Sequence, residues 1–162
     1  MDSVSTSRLA LVLPELATKV EAMAASLAEQ GIEIRVVQGL RTYAEQDALF
    51  AQIPKVTNAR GGYSMHNFGL AVDCVPSLAA VGETYAPDWN GKDASYAAMV
   101  ASGEAQGLVS GANWHSIIDY PHFQMPNLPV TPTDQMRADL ASGGLPLVWK
   151  NAMAGIYDSE EG

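Results

Sequence analysis

Residues 64–73 read SMHNFGLAVD, an apolar run with a histidine near its start and an aspartate at its end. We predict a buried strand over residues 69–75, because the run is short and apolar and begins with a glycine. A carboxylate within such a strand is costly to bury unless a cation or hydrogen-bond donors meet it. The pattern leaves two alternatives. His66 and Asp73 belong to a metal site, or Asp73 caps a turn before Pro76 and His66 is a loop residue.

A second segment, residues 114–124, reads WHSIIDYPHFQ and contains the other two histidines of the chain. Zinc prefers imidazole nitrogens and carboxylate oxygens, and catalytic sites use three protein ligands and leave one position open. His66, Asp73 and His122 supply such a set. Asp119, three residues before His122, is then left to accept a proton from the attacking water. The alternative makes Asp119 a turn residue and His122 an ordinary strand histidine.

Outside these two segments, the sequence predicts helices interspersed with short strands. Helices are predicted over residues 15–30, 42–52, 94–106 and 133–141, and a strand over residues 32–37. Residues 114–125 are predicted to form a strand pair or a strand-loop-strand around Pro121. This order indicates an α+β domain without a regular βαβ alternation. We expect residues 1–162 to form a single catalytic domain, with a core at about 6–125 and a helical C-terminal extension at 132–157.

Composition excludes several classes of protein. The 162 residues fit the length of one domain, and a formal charge of −9 argues against binding to nucleic acid. No apolar stretch approaches the length of a membrane span. The first residues lack the basic start and cleavage site of a secretory signal. The single cysteine, Cys74, has no partner for an intramolecular disulfide, and its apolar neighbours indicate a buried side chain.

These segments resemble a family of zinc peptidases that includes L-alanyl-D-glutamate endolysins, D,D-carboxypeptidases and vancomycin-resistance D,D-dipeptidases. The family pattern Ser-x-His-x-x-Gly-x-Ala-x-Asp is matched by residues 64–73. Its second element, an acid three residues before a histidine, is matched by Asp119 and His122. Upstream, residues 39–46 read GLRTYAEQ and are similar to the family's Gly-Tyr-Arg-Ser…Gln element, with Leu40 in place of the usual aromatic residue.

The resemblance covers about residues 6–125 and implies a hedgehog/D,D-peptidase fold, a small, mainly antiparallel sheet flanked by helices. It implies one zinc ion per chain, held on the sheet by His66, Asp73 and His122. It also implies that Asp119 is the general base. The expected activity is therefore that of a zinc metallopeptidase.

The same resemblance implies further roles near the scissile bond. Arg41 would stabilise the developing oxyanion; its alternative is a surface salt bridge with Glu45. Ser64 and Gln46 are candidate substrate contacts, and their alternatives are an ordinary turn hydroxyl and an exposed surface glutamine. His115 is adjacent to the second segment but is not expected to bind the metal.

We expect hydrolysis of a peptidoglycan stem peptide, with an L-alanyl-D-glutamate endopeptidase as the leading specificity. The Asp-x-Pro-His form that includes Asp119 resembles the endolysin branch, whereas the base of the dipeptidase branch is usually a glutamate. One alternative is a D-alanyl-D-alanine carboxypeptidase or dipeptidase. Another is a non-catalytic, metal-stabilised wall-binding module, although a structural metal site would not need the additional carboxylate of Asp119.

The expected partner is the stem peptide, without nucleic acid or a membrane span. We expect a monomer, although no sequence feature decides the oligomeric state. Because the first residues do not resemble a signal peptide, we expect synthesis in the cytoplasm and action on the cell wall after holin-type or other export. The sequence does not decide which stem-peptide bond is cut, nor a phage or a bacterial origin.

Overall fold

The structure, a computed structural model, describes residues 1–115 and 118–158. Within those residues the helices are α1 (Ser3–Leu9), α2 (Pro14–Glu29), α3 (Tyr43–Phe50), α4 (Ala94–Ala105) and α5 (Asp134–Met153). The strands are β1 (Ile34–Gln38), β2 (Ala71–Pro76), β3 (Val109–Ser110) and β4 (His122–Gln124). Two short 3₁₀ turns, Met65–Phe68 and Gly111–Asn113, precede β2 and β4. No helix in the described ranges is both long enough and apolar enough to cross a membrane.

The four strands form one antiparallel sheet in the order β1-β2-β4-β3. The central strand β2 pairs with β1 on one side and with β4 on the other. In this register Asp73 lies directly opposite His122. The prediction of an α+β fold with a small antiparallel sheet and flanking helices is confirmed.

The chain separates into two compact units, and the first comprises Met1–Gly39 and Ala71–Pro126. It contains the sheet with α1, α2 and α4. The predicted apolar face of α2 is fully buried and consists of Leu16, Val20, Met23 and Leu27. Helix α4 packs closely because Gly103 has no side chain: a Cβ there would lie 2.4 Å from the Phe123 ring. This packing supports the sheet that carries Asp73 and His122.

The second unit comprises Leu40–Leu70 and Asn127–Gly162. Its C-terminal helix α5 donates two hydrogen bonds to the segment before β2. The indole N–H of Trp149 donates to the carbonyl of Phe68 (2.8 Å), and Arg137 Nη1 donates to the carbonyl of Gly62 (3.1 Å). The extension therefore supports the 3₁₀ turn that contains His66. The single-domain organisation predicted for the whole chain stays a prediction.

The prediction for residues 114–125, a strand pair or a strand-loop-strand, differs from the structure. In the described part of this segment only β4 is a strand, and its second neighbour is β3, which lies upstream. Residues 116 and 117 lie outside the described residues. The reason is a turn: the N–H of His122 donates to the carbonyl of Asp119 (3.2 Å), so the chain folds back around Pro121 instead of extending.

Candidate metal centre

Three of the predicted site residues form a cluster. One potential ligand atom from each of His66, Asp73 and His122 lies within 4.8 Å of the other two. The histidines are buried, at 3% and 5% exposure, and Asp73 is half-buried. His122 Nδ1 lies 3.4 Å from Asp73 Oδ1. Ligand atoms on a tetrahedral zinc, with bonds of about 2.0–2.1 Å, lie about 3.3–3.4 Å apart. This pair therefore has a separation that fits a shared ion.

The strand β2 explains how an acid is accommodated in an apolar run. Successive side chains of a strand point to opposite faces, so Asp73 faces away from Val72 and Cys74. Val72 and Cys74 are fully buried, and Asp73 is the one half-buried position of the strand. Burial, followed by the charge of Asp73, raises the pKa of the Cys74 thiol. Because cross-strand partners share a face, the carboxylate of Asp73 lies beside His122.

His66 is placed by the 3₁₀ turn Met65–Phe68. The Ser64 hydroxyl accepts a hydrogen bond from the N–H of His66 (3.4 Å) and so caps the turn. Gly69 ends the turn with φ = 64°, a left-handed conformation that glycine adopts without strain. The predicted substrate contact of Ser64 stays a prediction, and the hydrogen bond that the structure shows is to the backbone.

Asn67, which directly follows His66, is a residue that sequence reasoning missed. It is buried, and its side chain makes four hydrogen bonds to two loops. Its Oδ1 accepts from the N–H groups of Gly62 (3.0 Å) and Ser64 (3.3 Å), and its Nδ2 donates to the carbonyls of Arg41 (2.9 Å) and Thr42 (3.3 Å). The N–H of Arg41 also donates to the carbonyl of His66 (3.0 Å). Asn67 thus fixes the backbone of Arg41 beside His66. The available signal was a capping box, with an amide side chain three residues after Ser64.

The side chain of Arg41 is held by Gln46. Arg41 Nη1 donates to Gln46 Oε1 (2.6 Å), and Gln46 Nε2 donates to the carbonyl of Ala59 (2.7 Å). Gln46 is fully buried, at 0% exposure, which differs from both a groove-lining and a surface position. The substrate contact predicted for Gln46 stays a prediction, and the partner that the structure gives it is Arg41. The Glu45 carboxylate accepts hydrogen bonds from the N–H (2.7 Å) and hydroxyl (2.8 Å) of Thr42, and so completes the predicted capping box.

His122 is oriented by two neighbours. Its Nε2–H donates to Oε1 of the buried Gln124 (3.1 Å), and the Trp114 ring lies 4.8 Å from its ring centroid. With the proton on Nε2, the lone pair of Nδ1 faces Asp73; metal-binding histidines are commonly fixed by such a second hydrogen bond. Sequence reasoning missed Gln124. The signal was its position two residues after His122, because alternate residues of a strand share a face.

The electrostatic surroundings of His122 favour positive charge. Burial lowers the pKa of His122, but the hydrogen bond and charge of Asp73, with smaller contributions from Gln124 and Asp119, outweigh burial and raise it. The same negative potential stabilises a metal cation, which would compete with the proton for Nδ1. The nitrogen and oxygen donors, the 3.4 Å separation of His122 Nδ1 and Asp73 Oδ1, and this potential fit a divalent cation.

Asp119 is held on the turn that leads into β4. Its N–H donates to the carbonyl of Gly111 (3.0 Å), and its carbonyl accepts from His122 (3.2 Å). A Cβ at Gly111 would lie 2.6 Å from the carbonyl oxygen of Asp119, so glycine permits this close approach. The half-buried Asp119 is therefore adjacent to His122 and contributes to its pKa. His115 is exposed and lies outside the three-residue cluster found in the described residues.

Comparison with known proteins gives a consistent picture. Residues 57–125 match the model of a protein family described as D-alanyl-D-alanine carboxypeptidase. The chain is 33% identical over 121 residues to the peptidoglycan L-alanyl-D-glutamate endopeptidase CwlK of Bacillus subtilis, covering 69% of this chain and 72% of CwlK. Its fold is similar to the crystal structure of the Serratia marcescens L-Ala D-Glu endopeptidase ChiX, with a TM-score of 0.58, 23% identity, and coverage of 77% of this chain and 88% of ChiX.

Proposed function

Because the chain belongs to the M15 family of metal-dependent peptidases, we propose that it hydrolyses the bond between L-alanine and D-glutamate in peptidoglycan stem peptides. The main support is the cluster of His66, Asp73 and His122, with Asp119 on the adjoining turn. The names of CwlK and ChiX favour this bond. The description of the matched family favours a second candidate, removal of a terminal D-alanine.

We propose that the metal is zinc, with one ion per chain held by His66, Asp73 and His122. Two imidazole nitrogens and one carboxylate oxygen form a usual catalytic zinc set, which leaves a position for water or substrate. The hydrogen bond from His122 to Gln124 fixes the ring for this role. When bound, zinc would polarise the scissile carbonyl and lower the pKa of the attacking water.

We propose separate roles for the two remaining polar groups. The Asp119 carboxylate accepts the proton of the attacking water and returns it to the nitrogen of the leaving amine. The Arg41 guanidinium stabilises negative charge on the carbonyl oxygen, and a fixed donor is effective because it needs no reorganisation during the reaction. Gln46 holds that guanidinium, and Asn67 holds the backbone that carries it.

The products released from purified peptidoglycan test the proposed bond. Cleavage between L-alanine and D-glutamate should leave peptides that begin with D-glutamate, which mass spectrometry identifies by the loss of L-alanine. Free D-alanine as the product would instead assign the second candidate. Zinc-loaded protein that binds the wall but releases no product would indicate a wall-binding module.

Replacing Arg41 with alanine should lower kcat by about 10²–10³, because one oxyanion-stabilising group is lost. Zinc content should not change, since Arg41 is not among the proposed ligands. Gln46→Leu should give a smaller loss of the same kind, because the guanidinium stays but loses its hydrogen bond to Gln46. Steady-state kinetics and metal analysis provide the two measurements.

Arg60→Ala is the matched control for Arg41→Ala, because Arg60 is an exposed arginine of the same unit that contacts Tyr63. Its kcat should equal that of the wild type. An Arg41→Ala protein with normal kcat would show that Arg41 has no part in the reaction.

We also propose that the chain acts as a monomer. Its support is that the three proposed ligand residues of one chain come together without a second copy. Because peptidoglycan lies outside the cytoplasmic membrane, action on it requires a holin-type or another route of export.

A further inference from the structure

A well-fixed loop, residues 88–93, lies between β2 and α4 and is organised around the buried Asp88. Both carboxylate oxygens and both backbone groups of Asp88 are hydrogen-bonded. The carboxylate accepts from the N–H of Asn90 (2.8 Å) and the hydroxyl of Ser95 (3.0 Å), the carbonyl accepts from the hydroxyl of Tyr96 (2.8 Å), and the N–H donates to the carbonyl of Pro76 (2.9 Å). These bonds fix the backbone that carries Trp89.

The same loop packs beside the turn that carries Asp119. A Cβ at Gly91 would lie 2.3 Å from Cδ2 of Tyr120, so the backbone of the loop is in close contact with that ring. Tyr120 also contacts the ring of Tyr96 edge to face, at a centroid distance of 6.0 Å. Trp89 lies two residues before Gly91, and two residues span at most about 7 Å. Tyr120, whose ring Gly91 contacts, directly follows Asp119. Trp89 is therefore carried close to the turn of the proposed general base.

Trp89 differs from the other two tryptophans in having no partner among the residues that the structure describes. Trp114 packs against His122 and Trp149 donates to a carbonyl, whereas the Trp89 side chain is 65% exposed and makes no hydrogen bond or ring contact there. A single exposed apolar side chain needs no special explanation. An exposed indole on a loop that packs against Tyr120 is different, because the fixed backbone of the loop reduces the conformational entropy that is lost when a ligand packs against it.

The chemistry of the stem peptide indicates what this indole would meet. L-alanine is joined through a lactyl group to an amino sugar, so a cut after L-alanine places the sugar one residue from the reacting carbonyl. A cut between two D-alanines would place it about four residues away, or roughly 13 Å along an extended chain. Peptidoglycan is anionic and the protein has a net charge of −9, so electrostatic attraction between them is unfavourable. Apolar contacts therefore have to hold the substrate.

We propose that Trp89 stacks against the apolar face of the amino sugar that carries the stem peptide. Trp89 then makes the protein prefer a muramyl peptide to the same peptide without its sugar. This inference rests on the proposed cleavage after L-alanine. A large rigid aromatic side chain suits the role because it offers extensive contact area and loses few rotamers on binding.

The test compares N-acetylmuramyl-L-alanyl-γ-D-glutamyl peptide with the same peptide lacking the sugar. Wild-type kcat/KM should be on the order of tenfold higher for the muramyl peptide, which corresponds to about 1.4 kcal/mol. Trp89→Ala should lower the muramyl value to that of the free peptide, through KM, and leave the free peptide unchanged. Trp89→Phe should retain part of the preference.

Leu78→Ala is the matched control, since Leu78 is an exposed apolar residue (69%) of the same connection between β2 and α4. It should keep the full preference, and unchanged zinc content and melting temperature would show that each variant is folded. A Trp89→Ala protein that keeps the preference, or loses rate equally on both substrates, overturns the inference alone. A wild-type protein that cleaves neither substrate overturns the proposed function and this inference with it.

Discussion

Asp119→Asn is expected to lower kcat by about 10²–10⁴, the usual contribution of a general base. The amide has nearly the shape of the carboxylate, but it does not accept the proton of the attacking water. The fold should be unchanged, because the hydrogen bonds that hold Asp119 to Gly111 and His122 come from its backbone. Zinc should be retained, because Asp119 is not a proposed ligand. Single-turnover rates and metal analysis on the same preparation measure both quantities.

Asp73→Asn provides the matched comparison, because it makes the same chemical change in the other acid of the site. It should weaken metal binding, since a neutral amide oxygen is a poorer zinc ligand than a carboxylate. The opposite pattern, with zinc lost in Asp119→Asn and kept in an inactive Asp73→Asn, would exchange the two roles. Full hydrolytic activity in both variants would contradict the roles proposed for Asp119 and Asp73.

His122→Ala is expected to lose the zinc and, with it, all measurable hydrolysis, because one of three protein ligands is removed. The loss should also appear in stability. A ligand that binds only the folded protein stabilises it by about 2.7 kcal/mol at a free concentration of 100 times Kd. A chelator should therefore lower the melting temperature of the wild type and leave that of His122→Ala unchanged. Metal analysis and thermal melting with and without chelator make the comparison.

His115→Ala is the control for this prediction, because it removes an exposed histidine near the same turn but outside the cluster. It should bind zinc as the wild type does. Stoichiometric zinc in His122→Ala would remove His122 from the ligand set, and loss of zinc in His115→Ala would add His115 to it.

The sequence predicts local structure well where the pattern is itself local. The apolar face of α2, the capping box at Thr42 and the buried strand around Asp73 are all confirmed. Each depends on residues within a few positions of one another. The strand β3 was missed because two residues, Val109 and Ser110, are too few to show a periodic pattern.

The candidate metal cluster could be predicted from its motifs, but the hydrogen-bond partners of the predicted site residues could not. Gln46 is a polar residue on a mostly exposed helix, and pattern alone places such a residue at the surface. Its burial results from hydrogen bonds to Arg41 and to the carbonyl of Ala59, which lies 13 residues further along the chain. The contact between Asp73 and His122 likewise depends on the register between β2 and β4. That register cannot be derived from the sequence of either strand alone.

The burial of Cys74 affects how the protein can be handled chemically. The chain has one thiol, and it is fully buried with a raised pKa, so little reactive thiolate is present at neutral pH. A maleimide dye should therefore leave the wild type unlabelled. A cysteine introduced at an exposed position, as in Leu78→Cys, should be the only cysteine that reacts. Cys74 therefore does not need to be replaced. A fluorophore at position 78, on the connection between β2 and α4, would then report when a wall fragment binds nearby. The buffer would not need a reducing agent.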